Sequence, residues 1–123
     1  MRSLPAAVVD AAVVVLFVLI GRSSHGEANA LLGVLTTLWP FAASLTLGWL
    51  VTRAWQLPAA PIRTGLGVWA ITVAGGMALR ALSGGGIAVP FIVVASLFLA
   101  TGLIGWRAVA TWLLSRRTTP ASR

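Results

Sequence analysis

The stretch LPAAVVDAAVVVLFVLIGRSSHGEAN, Leu4–Asn29, decides how the rest of the chain must be read. Its first part, Leu4 to Gly21, is an apolar run near the ~20 residues that an α-helix needs to cross a bilayer, interrupted by one charge, Asp10. Its second part gathers Arg22, the single histidine, His25, and one of the two carboxylates, Glu27, among turn-forming Ser, Gly and Asn residues. A membrane helix followed by a wet turn is the expectation. The run has one basic residue ahead of it, an aspartate within it and no A-x-A cleavage site, so a retained helix is expected rather than a signal peptide.

The same alternation continues to the C-terminus. Apolar runs predict helices over about 4–21, 30–55, 63–82 and 89–114, separated by RSSHGEAN, QLPAAPI and SGGG. Pro40 falls near the middle of the second and is expected to kink it, because a mid-helix proline removes a backbone hydrogen bond. Neighbouring membrane helices can repair that loss. With 123 residues that are 59% hydrophobic and 9% charged, and a mean hydropathy of +0.97, the chain cannot hide its apolar surface in one soluble core. A small soluble domain buries only about 60–70% of what its unfolded chain exposes. The fold expected is all-α: a polytopic membrane protein of four transmembrane helices in two hairpins, forming one domain over 1–123.

Nine arginines and no lysine stand against Asp10 and Glu27, a net charge of +7. Such a balance in a soluble domain would suggest nucleic acid, but here the arginines are spread over loops and helix ends. Four crossings put Arg2, Arg53, Arg63, Arg107, Arg116, Arg117 and Arg123 on the face of the termini, and Arg22 and Arg80 on the other. The positive-inside rule then places both termini in the cytoplasm, in the cell's inner membrane, with the lipid bilayer as the immediate partner. Trp49, Trp55, Trp106 and Trp112 fall toward the same face, as an interfacial belt would. The absence of cysteine excludes disulfides, thiol catalysis and zinc–thiolate sites. One histidine cannot build a metal cage, and no cofactor is expected.

Two polar groupings are candidates for function. Asp10 lies about two turns into the first helix, where a bare carboxylate costs a few kcal/mol. Arg107 lies at similar depth in the last helix. They read either as an ion pair joining the first and last helices, or as a protonatable or ion-binding carboxylate in a permeation path, or as groups snorkelling to the interface. On the opposite face, Arg22, His25, Glu27 and Arg80 read either as a polar cap over the bundle or as a small-anion or headgroup site with the two arginines as its fork. Glu27 could pair with either arginine, and an exposed His25 would titrate near neutrality. Gly65, Gly67, Gly75, Gly76, Gly102 and Gly105 mark close-packed seams, within one chain or between chains. A Ser–His–Asp arrangement would require Asp10 to reach His25 across most of the bilayer, so enzyme is the least supported class.

The second and fourth helices share an echo: Pro40-Phe41 with Gly48-Trp49, and Pro90-Phe91 with Gly105-Trp106. Either chance or duplication of a hairpin could produce it. The succession Asp10, IGR (20–22), SHGE (24–27), WPF (39–41), GW (48–49), Arg53, Trp69, Met77, Arg80 and GWR (105–107) resembles an uncharacterised family of small four-helix membrane proteins, frequent in actinobacteria and haloarchaea. The resemblance covers nearly the whole chain. It implies the four-helix topology, carries no established activity, and falls on the polar residues singled out above.

Three readings of function follow. A homo-oligomeric transporter or channel for a small ion or solute would use Asp10 and Arg107 at one end and Arg22 and Arg80 at the other, with a path between protomers. A non-catalytic accessory or assembly subunit would dock by its helix faces to a membrane-protein partner. A lipid-interacting module would use arginines at both headgroup levels. Transport ranks first, because charges at depth and a proline within a helix exceed what a passive spacer needs.

Overall fold

In a computed structural model of the protein, residues 2–23 and 30–117 are described. This part is all-helical, with no strand among the described residues, and four of its helices are long and apolar enough to cross a membrane. The first span is α1 (Ser3–Ser23) and the second α2 (Ala30–Thr52). The third opens with a π-helical turn, Pro61–Leu66, that runs into α3 (Gly67–Leu82). The fourth is α4 (Val89–Leu99), a second π-helical turn (Ala100–Ile104) and α5 (Gly105–Arg117) in succession.

Helix α2 stops at Thr52, short of the expected residue 55, and the reason is local. Arg53 takes a left-handed conformation, φ 52°. The Ala54 N–H then reaches back to the Trp49 carbonyl (3.1 Å) and the Arg53 N–H to Leu50 (3.4 Å), which is the Schellman pattern of a helix C-terminus. Ala54, wholly buried, makes the apolar contact that accompanies such an ending. Glycine is the usual residue there, so an arginine left no stop signal in the sequence. The helix continues through Pro40 without interruption. The third span begins two residues earlier than expected, at Pro61, because proline suits a first helical position whose N–H would have no partner.

Van der Waals fit has to hold these helices together, since lipid offers apolar surface as readily as a neighbouring helix does. The α2–α3 seam is the most extensive. Gly48 brings α2 so close to α3 that a Cβ there would lie 3.3 Å from the Val68 Cα. Gly76 makes room for the Phe41 ring, Gly75 for the Ser44 side chain and Gly102 for Val13. Of the glycines expected to mark seams, Gly65, Gly67, Gly75, Gly76 and Gly102 each face a neighbour within the chain, whereas a Cβ at Gly105 would meet nothing within 4 Å. Phe17 of α1 centres the aromatic part of the core, with ring centroids 5.4 Å from Phe41, 6.0 Å from Phe91 and 5.7 Å from Phe98. Leucine, valine and isoleucine dominate the exposed face of the spans, as a lipid-facing surface requires.

The segment between α2 and the third span lies at the end of the bundle that carries Ser3 and Thr111. Its carbonyls are taken up almost one after another. Ser3 Oγ donates to Trp55 (3.3 Å), Thr64 Oγ1 to Leu57 (2.6 Å), Arg107 Nε to Pro58 (2.7 Å) and Thr111 Oγ1 to Ala59 (3.2 Å). The Ala60 carbonyl accepts from Thr64 N and Gly65 N, the latter being the i→i−5 bond that makes this turn π-helical. A loop that would otherwise carry unmet polar groups is thus stitched to three spans.

Candidate functional site

Asp10 and Arg107, from the first and fourth spans, are in direct contact, and both side chains are wholly buried. Arg107 Nη1 donates to Asp10 Oδ1 (2.8 Å) and Nη2 donates to Oδ2 (2.6 Å), a two-pronged pairing. The indole of Trp106 donates to Oδ1 (2.8 Å) and that of Trp49 to Oδ2 (2.7 Å). The carboxylate therefore receives four donors, which fills its ordinary acceptor capacity. Arg107 directs Nε to the Pro58 carbonyl and a second Nη1 hydrogen to Leu103 (2.8 Å), and its guanidinium lies 4.7 Å from the Trp106 ring centroid. Both π-helical turns abut this centre. Leu103 belongs to one; Gly65, in the other, would carry a Cβ only 3.0 Å from Arg107 Cδ.

The echo noted in the sequence has a structural meaning here. Trp49 and Trp106, the second members of the two glycine–tryptophan pairs, grip opposite oxygens of one carboxylate. Phe41 and Phe91, from the two proline–phenylalanine pairs, flank one ring, Phe17. Phe17 stands seven residues, about 10 Å of helix rise, beyond Asp10. Both echoes thus converge on two positions of α1. The repeated pairs have matching structural roles in the folded chain.

At the opposite end of the bundle, Arg22 and Arg80 line the same cavity of about 330 Å³, together with Thr36, Thr37, Trp39 and Ser83. Local structure sets each arginine in place. The α3 terminus is a second Schellman ending: Gly84 is left-handed (φ +88°), the Gly85 N–H donates to the Arg80 carbonyl (2.7 Å) and the Gly84 N–H to Ala81 (3.2 Å). The chain therefore folds back over Arg80, whose Nε donates to the Gly86 carbonyl and whose guanidinium stacks 4.6 Å from the Phe91 centroid. Among the described residues no acceptor lies on its two terminal nitrogens. Arg22 rests against α2 at Gly33, where a Cβ would overlap its guanidinium. His25 and Glu27, the other candidates at this end, lie outside the described residues, and so does the expected pairing of Glu27 with an arginine.

A family model described as "Protein of unknown function (DUF3054)" matches residues 7–110. The chain belongs to this family. No curated protein and no solved structure matches it. The matched span takes in Asp10, Arg22, Arg80 and Arg107, so both polar centres lie within the part that defines this DUF3054 chain.

Several participants carry no sequence signal as site residues. Pro58 and Leu103 act through their carbonyls, which any residue could supply. Trp49 and Trp106 suit an interfacial belt by their place in the sequence, yet they turn their indole N–H groups inward to Asp10. Thr72 and Ser44 are buried with hydroxyls that have no partner among the described residues, whereas Thr36, Thr46 and Thr52 bond back to their own helices. Arg107 also leaves the surface charge count. Of the seven arginines that the sequence assigns to the termini face, Arg107 is buried and matched by Asp10, and Arg123 lies outside the described residues.

Proposed function

We propose that this multi-pass membrane protein captures an anionic group at the end of the bundle away from its termini, and that it serves transport, working as a homo-oligomer. The observation that carries this reading is the convergence of Arg22 and Arg80, from different hairpins, on one cavity whose wall also includes Thr36, Thr37 and Ser83. Two guanidinium groups at one opening suit a phosphate or carboxylate, which arginine can meet with paired donors. The excess of arginines at the other end supports cytoplasmic termini in the inner membrane, so that the cleft faces outward.

In this reading Asp10 and Arg107 hold the bundle shut rather than gate it. Every acceptor site of the carboxylate is taken, and neither group is open to solvent or to a passing ion. The anion's path beyond the cleft then lies outside the packed core of the protomer.

The test is arginine-dependent anion capture. Parent protein and the Arg22→Gln and Arg80→Gln variants would be reconstituted in liposomes, with inorganic phosphate flux and retention of anionic lipid both measured. At least a tenfold loss on one of the two readouts, with thermal stability unchanged, is expected. If neither phosphate nor anionic lipid responds to either substitution, the cleft is a solvated cap and the proposal fails.

A further inference from the structure

The arginine cleft does not end at its polar wall. Arg22, Thr37 and Arg80 also line a second cavity, of about 180 Å³, whose other walls include Phe17, Val18, Phe91 and Val94. Val94 in turn lines a groove of about 530 Å³ between the first and fourth spans, floored by Val13, Phe98 and Gly102 and flanked by Leu97. The polar opening and the aromatic space thus share Arg22, Thr37 and Arg80 as walls, and the aromatic space and the apolar trough adjoin at Val94 alone. From Arg22 to Val13 the first span alone covers about 13 Å of helix rise.

We propose that the ligand of the cleft is a long-chain anionic amphiphile, its phosphate or carboxylate headgroup on Arg22 and Arg80 and its chain in the groove between the first and fourth spans. This rests on the anion-capturing reading above and names the class of ligand. A free hydrated anion could occupy the polar cavity, but it would have nothing to set against the apolar walls beside it. An amphiphile matches both. Arg80 marks the junction: its guanidinium lies against the Phe91 ring, so the charge sits where the wall changes from polar to apolar. Both arginines also stand in the last turns of their helices, at the level where lipid headgroups meet helix ends. Because lipid already solvates an alkyl chain, the groove adds shape and orientation, and the arginines supply the selection by charge.

The experiment uses the full chain in nanodiscs of phosphatidylcholine containing a trace of phosphatidic acid with a photoreactive group midway along one chain. Crosslinks are expected at Val94, Leu97 and Thr101, reduced at least tenfold by Arg22→Gln with Arg80→Gln. They should also fall at least tenfold with Leu97→Trp, which fills the trough from a position exposed in the parent and so leaves the core intact. An otherwise identical phosphatidylcholine probe should not label the groove above background. Crosslinks indifferent to the arginines would mean ordinary boundary lipid, and the inference would be wrong. Arginine-dependent binding of inorganic phosphate without arginine-dependent crosslinking would also overturn it, while leaving the anion-capturing reading in place. Loss of arginine dependence for both probes would remove the two together.

Discussion

Replacing Asp10 by asparagine separates a structural lock from a working carboxylate. The side chain keeps its shape, but one acceptor oxygen becomes an NH₂ donor. With the amide in place of Oδ1, it faces Arg107 Nη1 and the Trp106 indole; in place of Oδ2, it faces Arg107 Nη2 and the Trp49 indole. Either flip therefore sets a donor against one guanidinium nitrogen and one indole. Two buried donors left without an acceptor cost about 1–3 kcal/mol each. That range agrees with the about 3–5 kcal/mol expected when one partner of a buried ion pair is removed. Asp10→Asn should thus lower unfolding free energy by about 4 kcal/mol, measured by reversible unfolding in mixed micelles or by steric trapping in bicelles. Asp10→Leu combined with Arg107→Met should cost less than the sum of the two single changes, because no charge is then stranded. Anion capture at the far cleft should survive whenever the variant is folded. A variant as stable as the parent, within about 0.5 kcal/mol, that has lost all flux would refute this reasoning. It would show that the carboxylate works on a transported species.

Smaller perturbations probe the parts around these centres. Trp49→Phe and Trp106→Phe each remove one donor from Asp10 and should destabilise by about 1–3 kcal/mol, with the larger loss at Trp106, whose ring also faces the Arg107 guanidinium. Gly65→Ala places a methyl against Arg107 Cδ, a group pinned by its own hydrogen bonds, and should cost about 1–3 kcal/mol in the same unfolding assay. Arg53→Gly relieves a left-handed residue and should stabilise by about 1 kcal/mol. A loss instead would mean that the arginine side chain holds the helix end at the interface. Thr72→Val removes a buried hydroxyl that has no partner among the described residues and keeps the side chain's shape, so it should raise stability by about 1 kcal/mol.

The fold was legible because composition decides most of it. Apolar runs of spanning length have few alternatives in a chain this poor in charge, and glycine clusters such as that at 84–86 announce the turns. Boundaries were less legible where the structure uses a residue against type. Arg53 ends a helix that a glycine would have been expected to end. The π-helical turns at 61–66 and 100–104 have no periodic signature, the first opening its span and the second shifting the hydrogen-bond ladder by one residue within an apolar run. The candidate residues of both centres were visible for the opposite reason. In 123 residues with two carboxylates, any charge at membrane depth must find a partner, and few partners exist.

Roles are harder to read than positions, because a role depends on how many bonds a group has left to give. By sequence Asp10 is the most promising functional group, being the charge placed deepest. Its four donors come from two tryptophans and an arginine that only tertiary packing brings together, and they leave it nothing to offer a ligand. Arg80 draws notice by sequence either as part of a polar cap or, with Arg22, as the fork of a small-anion or headgroup site. A glycine-rich helix ending fixes its Nε and Phe91 supports its plane, while the residue lines both the polar cavity and the aromatic space beside it. Burial depth measures how strongly a charge needs partners. Chemistry remains available where donors face a cavity rather than a filled carboxylate, and this favours the cleft that Arg22 and Arg80 line over the deepest charge.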